Sequence, residues 1–315
     1  MSAILKNNTL ALCVPAFNAA ELLPILLTSA KNQTIPFDEI LVYNDCSTDN
    51  TTEVAKMYGA TVVEGDINRG CSTGKNRLAE VAKSKWLHFH DADDDMLPNL
   101  TEVAHRWIDQ QSTPDIIVLH YEYRVAGTNE FILEPKYDVE EMKADPIRFS
   151  IRNKLVNFAI VNKEAFLKVG GFNTNAQVLF NEDRAFYTRA TINGLALVYE
   201  PELTCINYYQ PGSMSVNNRA KCAKASYFVW KDVIDSTGKK YDVDIAKQLL
   251  DNAAFAATAD DWDTVKKSIL LARKIQVSSI PNGSKYFQLL YKISPYYSFF
   301  LREKIIRYLT TKRKK

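Results

Sequence analysis

The chain has little that would tie it to an oxidising compartment or to the interior of a bilayer. Its five cysteines, Cys13, Cys46, Cys71, Cys205 and Cys222, are odd in number and include no C-x-x-C pair. The spacing implies no disulfide framework, and a reducing compartment is the simpler expectation. No uninterrupted apolar run of about 18 residues occurs, so no transmembrane helix is expected. Lys6-Asn7-Asn8 interrupts the N-terminus before a long apolar core develops, so no secretory leader is expected either. No G-x-G-x-x-G follows the first apolar run, which argues against a dehydrogenase. Histidine is scarce: of the four residues, His105 and His120 lie too far from His88 and His90 to complete a histidine metal motif. Charge of one sign is also lacking, with 39 Lys and Arg against 37 Asp and Glu, so net charge alone says little about partners. The 315 residues are 46% hydrophobic and 24% charged, an ordinary globular composition with enough length for one large domain or two modest ones.

What is present is an alternation of short apolar runs and helical spacings. Residues 9–15, 39–43, 60–63 and 85–90 read as strands, and residues 21–32, 53–58 and 73–83 as helices between them. This order predicts an α/β unit with a mostly parallel sheet, whose ligand sites lie beyond the carboxyl ends of the strands. Phe17, Asp45, Asn68 to Gly70 and Asp91 to Asp95 all fall just after predicted strands, so four loops should converge on one crevice. Further strands are expected at 115–123, 131–134, 158–161 and 195–199, and a helix at 182–191. After about residue 217 the pattern becomes helical, with helices expected at 220–235, 245–258 and 263–275.

The densest chemical signal is the acidic run Asp91-Ala92-Asp93-Asp94-Asp95 behind the strand Trp86–His90. Carboxylates this close repel one another unless a cation offsets them. A hard divalent ion takes oxygen ligands and leaves positions open for phosphate oxygens. An acidic helix cap on an exposed loop is the plainer reading. Arg69, Lys75 and Arg77 are candidates for the phosphate side. His88 and His90 read more simply as hydrogen-bonded strand residues than as a metal pair, and Asp183 by itself reads as a helix-capping acid.

Five segments in order change the balance: Val14-Pro15-Ala16-Phe17-Asn18, Val42 to Asp49, Asn68-Arg69-Gly70, His90 to Asp94 and Asn181-Glu182-Asp183-Arg184. Together they resemble family 2 glycosyltransferases of the GT-A fold, of the bacterial surface-polysaccharide type. The resemblance covers roughly residues 1–216, leaving 217–315 as a helical region with a basic aromatic tail. It implies a Rossmann-like α/β domain that binds a nucleotide sugar, most simply a UDP-sugar, through Pro15, Phe17, Asn18, Asp45, Asn68, Gly70, Lys75, Asp91 and Asp93. Phe17 matches the residue that stacks on the base, Asp45 the contact to the uracil edge, and Asp91 the contact near the ribose. Asp93 matches the ligand of a Mn²⁺ or Mg²⁺ ion, and Asp183 the catalytic base. Glu182 either orients Asp183 or the acceptor, or is a first-turn acid. Transfer with inversion to a saccharide or lipid-linked acceptor follows from the same resemblance. A nucleotidyltransferase and a non-catalytic nucleotide-binding relative are the alternatives. The first usually carries a Gly-rich basic loop that Val14 to Asn18 lacks.

Two segments lie outside those motifs. Tyr208 to Ser215 resembles a loop that closes over the site in relatives, with a surface turn as the plain alternative. Residues 285–315 hold nine Lys and Arg against one acid, Glu303, with many Tyr and Phe between them. Such a tail suits either the face of an anionic membrane or docking on the rest of the chain as a helix over 296–309. Nucleic acid is not expected as a partner. The expected location is the cytoplasm, with peripheral contact at the inner membrane face as an option; the oligomeric state is open.

Overall fold

The computed structural model describes residues 8–209 and 217–313. The chain divides into two compact units. The first runs to Thr174 and resumes over Glu182–Pro211, and the second takes Asn175–Asn181 and the residues from Gly212 onward.

The first unit is built on a sheet numbered here in chain order. β1 (Leu10–Ala16), β2 (Glu39–Asn44), β3 (Thr61–Glu64) and β4 (Trp86–Phe89) are parallel and lie in the order β3-β2-β1-β4. The order reverses direction at β1, so the crevice beyond β1 and β4 is a topological switch point. The second half of the sheet mixes directions. β8 (Ala159–Asn162) runs antiparallel to β4 and to β6 (Ile116–Val125). β9 (Leu197–Tyr209) is parallel to β6, while β5 (Asp95–Met96) and β7 (Phe131–Leu133) add antiparallel edges. The expected parallel character is thus concentrated in the half that carries four of the five motifs.

β1 explains why its sequence reads as an unbroken apolar run. Leu10, Leu12 and Val14 enter the core on one face, and Ala11 and Cys13 enter the core on the other. A strand buried on both faces needs apolar side chains at every position. On one face lie α1 (Leu23–Lys31) and α4 (Leu100–Ile108), and on the other α3 (Cys71–Val81), α7 (Lys163–Lys168) and α8 (Glu182–Ile192). α2 (Thr51–Met57), α5 (Val139–Ala144) and α6 (Pro146–Arg152) complete the unit.

The second unit contains α9 (Arg219–Thr237), α10 (Asp242–Thr258), α11 (Trp262–Ile275), α12 (Lys285–Ile293) and α13 (Pro295–Arg313). α10 and α11 form a hairpin whose turn is fixed by Asp261, which caps α11 by accepting from the Thr264 amide. Ala253, Ala256 and Ala257 are fully buried and let neighbouring backbones approach closely. No helix among the described residues is long and apolar enough to cross a membrane.

Candidate active site

Four loops at the carboxyl ends of β1 to β4 meet in the first unit, and their stitching can be followed bond by bond. Asn18 has φ of 49°, a left-handed conformation that asparagine tolerates better than most residues. This turns its Oδ1 to accept from the Thr48 amide at 2.8 Å, while its own amide donates to Ser47 Oγ at 2.9 Å. The Ala19 and Ala20 amides donate to Thr51 and Asp49. The loop after β1 is therefore laced to the loop after β2. Phe17 at its tip is left half exposed, and Pro15 below it is half-buried.

Asp45 is buried, and both of its oxygens are engaged. Oδ1 accepts from the Arg69 amide at 2.8 Å and Oδ2 from the Gly70 amide at 2.7 Å. Its first task is thus to latch the loop ahead of α3. Gly70 has φ of 86°, a conformation that L side chains rarely adopt, and this turn aims its N–H at the carboxylate. Asn68 stays exposed on the outer side of the same loop. Asp45→Ala would leave two partly buried amides without their acceptor. It is expected to cost about 2 kcal/mol in urea unfolding.

Of the three proposed phosphate-side cations, none is left unpaired beside the loop. Arg69 pairs with Asp66 and Arg77 with Glu80, each on the surface. Lys75 is only 1% exposed, and its Nζ lies 3.1 Å from Asp91 Oδ1 and over the Phe172 ring. Burial would push its ammonium down, but Asp91, with Asp183 and Glu182, carries it well above the ordinary range. Lys75 is therefore a permanently charged tie beneath the site.

The acidic run divides by burial. Asp91 keeps 38% of its side chain exposed. Asp94 is buried and serves as a clamp, accepting from the Tyr208 amide at 2.9 Å and from Asn207 Nδ2 at 3.1 Å. That joins the acidic loop to the end of β9, a role that its sequence position does not reveal. Burial, with Asp93 and Asp91 beside it, pushes the Asp94 carboxyl well above the usual range. Burial and Asp91 also raise Asp93. Hard oxygen donors whose ionised forms are disfavoured by burial and by a neighbouring acid suit a divalent cation, so Asp91 and Asp93 fit Mn²⁺ or Mg²⁺. A cavity of about 390 Å³ adjoins Asp93 and Asp94 and is lined also by Leu22, Ile25 and Tyr208.

His88 and His90 are buried behind this loop. His88 Nδ1 lies 3.0 Å from the Ala159 carbonyl, and its Nε2 lies 2.9 Å from His90 Nδ1. Burial pushes His88 down to about 4 and His90 well below its ordinary value, so both are neutral. Their ligand atoms and that of Cys205 lie within 4.8 Å of one another. However, the lone pair of His88 Nε2 is occupied by His90 Nδ1–H, and burial raises the Cys205 thiol. The pair is hydrogen-bonded through both ring nitrogens of His88, while His90 Nε2 is buried without a hydrogen-bond partner.

Glu182 and Asp183 open α8 and both act electrostatically on Lys75. Glu182 is buried; Oε1 accepts from the Cys71 thiol at 3.1 Å, and Oε2 is buried without a hydrogen-bond partner. Burial and Glu182 hold the Cys71 thiol well above its ordinary range, so it remains a donor. Cys71 is not recognisable from the sequence, because a lone cysteine carries no pattern. Asp183 Oδ1 is likewise buried without a hydrogen-bond partner. Burial pushes its carboxyl up to about 7; Lys75 opposes the rise, and Glu182 and Asp91 add to it. Residues 210–216, including most of the expected closing loop with Gly212, lie outside the described residues.

Residues 11–172 match the family model described as glycosyl transferase family 2. The chain belongs to glycosyl transferase family 2. Among its relatives, an uncharacterized glycosyltransferase of Haemophilus influenzae is 28% identical over 205 residues, which are 64% of this chain and 66% of that protein. The chain thus spans just under two thirds of that relative's length. Staphylococcus aureus TarS 1–349 in complex with UDP-GlcNAc superposes with a TM-score of 0.60 at 16% identity, covering 86% of this chain and 91% of that one. The mannosyltransferase PcManGT of Pyrobaculum calidifontis, in complex with GDP-Man and Mn²⁺, gives 0.56 at 16% identity, covering 93% and 86%. At these identities the family 2 chain shares the GT-A fold with both.

Proposed function

We propose that this family 2 chain transfers a sugar from a nucleotide sugar, most simply a UDP-sugar, to a hydroxyl of a saccharide or lipid-linked acceptor, with inversion. The observation that carries this reading is the placement of Asp183. A carboxylate raised to about 7, with one buried oxygen unpartnered, is tied electrostatically through Lys75 to the acidic run. A general base works best when its pKa lies near the working pH. Asp183 removes the proton of the acceptor hydroxyl, which attacks the anomeric carbon in line from the face opposite the leaving diphosphate. Phe17 stacks on the base, Asp45 holds the loop that borders it, and Asp91 faces the ribose. Asp93 would hold a Mn²⁺ or Mg²⁺ ion, which would neutralise charge on the departing diphosphate. Glu182, held by Cys71, fixes the start of α8 and with it the direction of Asp183.

Melting temperature against a panel of UDP- and GDP-sugars, each with and without Mn²⁺, tests the reading and names the donor. A ligand that binds only the folded state raises the transition. The expected result is a rise that needs both the metal and one nucleotide sugar. A rise with nucleoside triphosphates alone would instead favour nucleotidyl transfer. Asp93→Ala is expected to lose transfer by ~10³-fold or more, the scale of losing an electrostatic stabiliser of the transition state. Release of nucleoside diphosphate in the presence of acceptor measures it.

A further inference from the structure

The exterior of the second unit carries an apolar stripe that none of the described residues of that unit covers. α12 buries Phe287 and Tyr291, whose rings pack against Phe299 of α13 at 5.1 and 6.1 Å. Its other hydrophobic residues are Tyr286, Leu289, Leu290 and Ile293, and all four are exposed, Tyr286 by 82% and Ile293 by 75%. Their spacing of i, i+3, i+4 and i+7 places them on a single helical face. Lys285 and Lys292 flank that face and are exposed. α13 repeats the arrangement. Phe299 and Ser298 are buried, while Tyr297, Ile305, Tyr308 and Leu309 are exposed. Lys304 and Lys312 rise from the same side, their ammonium groups over the Phe300 and Tyr308 rings at 5.5 and 5.0 Å.

The sequence leaves open whether this tail docks on the chain or meets a membrane. The structure separates the two roles by face. α13 docks within its own unit: Trp262 of α11 packs on Tyr296 and Phe300, and Arg307 bonds to Asp260 and Glu303. The opposite face keeps its hydrophobic residues and lysines outward.

We infer that the outward faces of α12 and α13 form a peripheral docking surface for an anionic phospholipid bilayer. Charge decides between occupants. The outward faces carry Lys285, Lys292, Lys304 and Lys312, all exposed, and Glu303, the one acid in the sequence of α12 and α13, is buried and paired with Arg307. A second copy would set this basic surface against an identical one, and like charges repel. An anionic headgroup layer complements it, while Tyr286, Leu289 and Ile293 enter the acyl boundary. The long lysine stems, lying along aromatic rings, let the ammonium groups reach the phosphates as the rings sink in. This inference is independent of the donor-site reading, because it uses no residue of the first unit.

The test is co-sedimentation of the full chain with vesicles of neutral phosphatidylcholine and with vesicles containing about a third phosphatidylglycerol. The bound fraction on anionic vesicles is expected to exceed that on neutral ones at least ~10-fold, since each basic residue near the surface adds to the attraction, and to fall in 0.5 M NaCl. Two variants divide the contributions: Tyr286→Ser with Leu289→Ser and Ile293→Ser, and Lys285→Glu with Lys292→Glu and Lys304→Glu. Each should reduce binding at least ~10-fold while the melting temperature and its rise with nucleotide stay unchanged. Equal binding to neutral vesicles, binding unaffected by either variant, or dimerisation without vesicle binding would each overturn it. Failure of nucleotide to raise the melting temperature of the wild-type chain would bear on the donor site alone.

Discussion

Asp183→Asn is expected to abolish transfer and at the same time to make the protein more stable. The loss of rate, about 10²–10⁴-fold, is the usual scale for removing a positioned general base. The stability gain follows from proton linkage. In the folded chain the carboxyl is raised to about 7 from 3.8. Below pH 3.8 it is neutral in both states and costs nothing. As pH climbs from there towards 7, the unfolded chain releases the proton and the folded chain retains it, so stability falls. Above about 7 the penalty is complete. Every tenfold difference in proton affinity between the folded and unfolded chain corresponds to ~1.4 kcal/mol. The asparagine variant, neutral at every pH, should therefore gain on the order of 2–4 kcal/mol at pH 8 and almost nothing at pH 4. Calorimetry of both proteins at the two pH values measures this. Transfer itself should rise with pH through about 7 as the base loses its proton. An asparagine variant with wild-type turnover would remove Asp183 from the chemistry. One with lower stability at pH 8 would mean that the carboxylate is favourably held.

Lys75→Met has the opposite sign. Methionine is of similar length, so it keeps much of the packing against Phe172 but removes the charge that offsets Asp91 and Asp183. Breaking a buried ion pair from one side usually costs 3–5 kcal/mol, because the remaining charge has no compensation. Asp91 is partly hydrated, which places the expected loss near ~3 kcal/mol. Without the opposing lysine, Asp183 should titrate at higher pH, so whatever activity remains should move its pH profile in the alkaline direction. Denaturant midpoints and pH–rate profiles test the two parts separately. An unchanged midpoint would mean that Lys75 is only a packing residue.

Much of the site is legible in the sequence because its signals are local. The apolar run of β1 and the dense acids after β4 each make their case within ten residues or fewer. α9, α10 and α11 are also legible, because long amphipathic segments reveal their period, whereas the nine residues of α12 are not. α5, α6 and α7 are not, since helices of six or seven residues show too few turns to establish one. In α4, Leu100, Val103, Ala104 and Ile108 have the right spacing, but Pro98 just ahead of them reads as a breaker and masks the helix that follows. The roles that stay hidden depend on distant partners. Asp94 reads as one more acid in a run, and only its bonds to Asn207 and Tyr208 distinguish it from its neighbours. Lys75 reads as a helical surface lysine suited to phosphate, yet the fold buries it beneath Asp91. Asp45 reads as a base contact, and its two amide bonds to the Arg69–Gly70 loop follow only from the way β2 and α3 meet.

Calorimetric titration of UDP in the presence of Mn²⁺ into wild type, Asp93→Ala and Asp183→Asn separates the nucleotide-holding carboxylate from the proton-accepting one. Wild type and Asp183→Asn are expected to bind alike, removal of Mn²⁺ should weaken both, and Asp93→Ala should bind weakly whether or not Mn²⁺ is present. Equal metal-dependent binding by Asp93→Ala, or loss of binding in Asp183→Asn alone, would contradict the assignment of the two carboxylates to separate tasks.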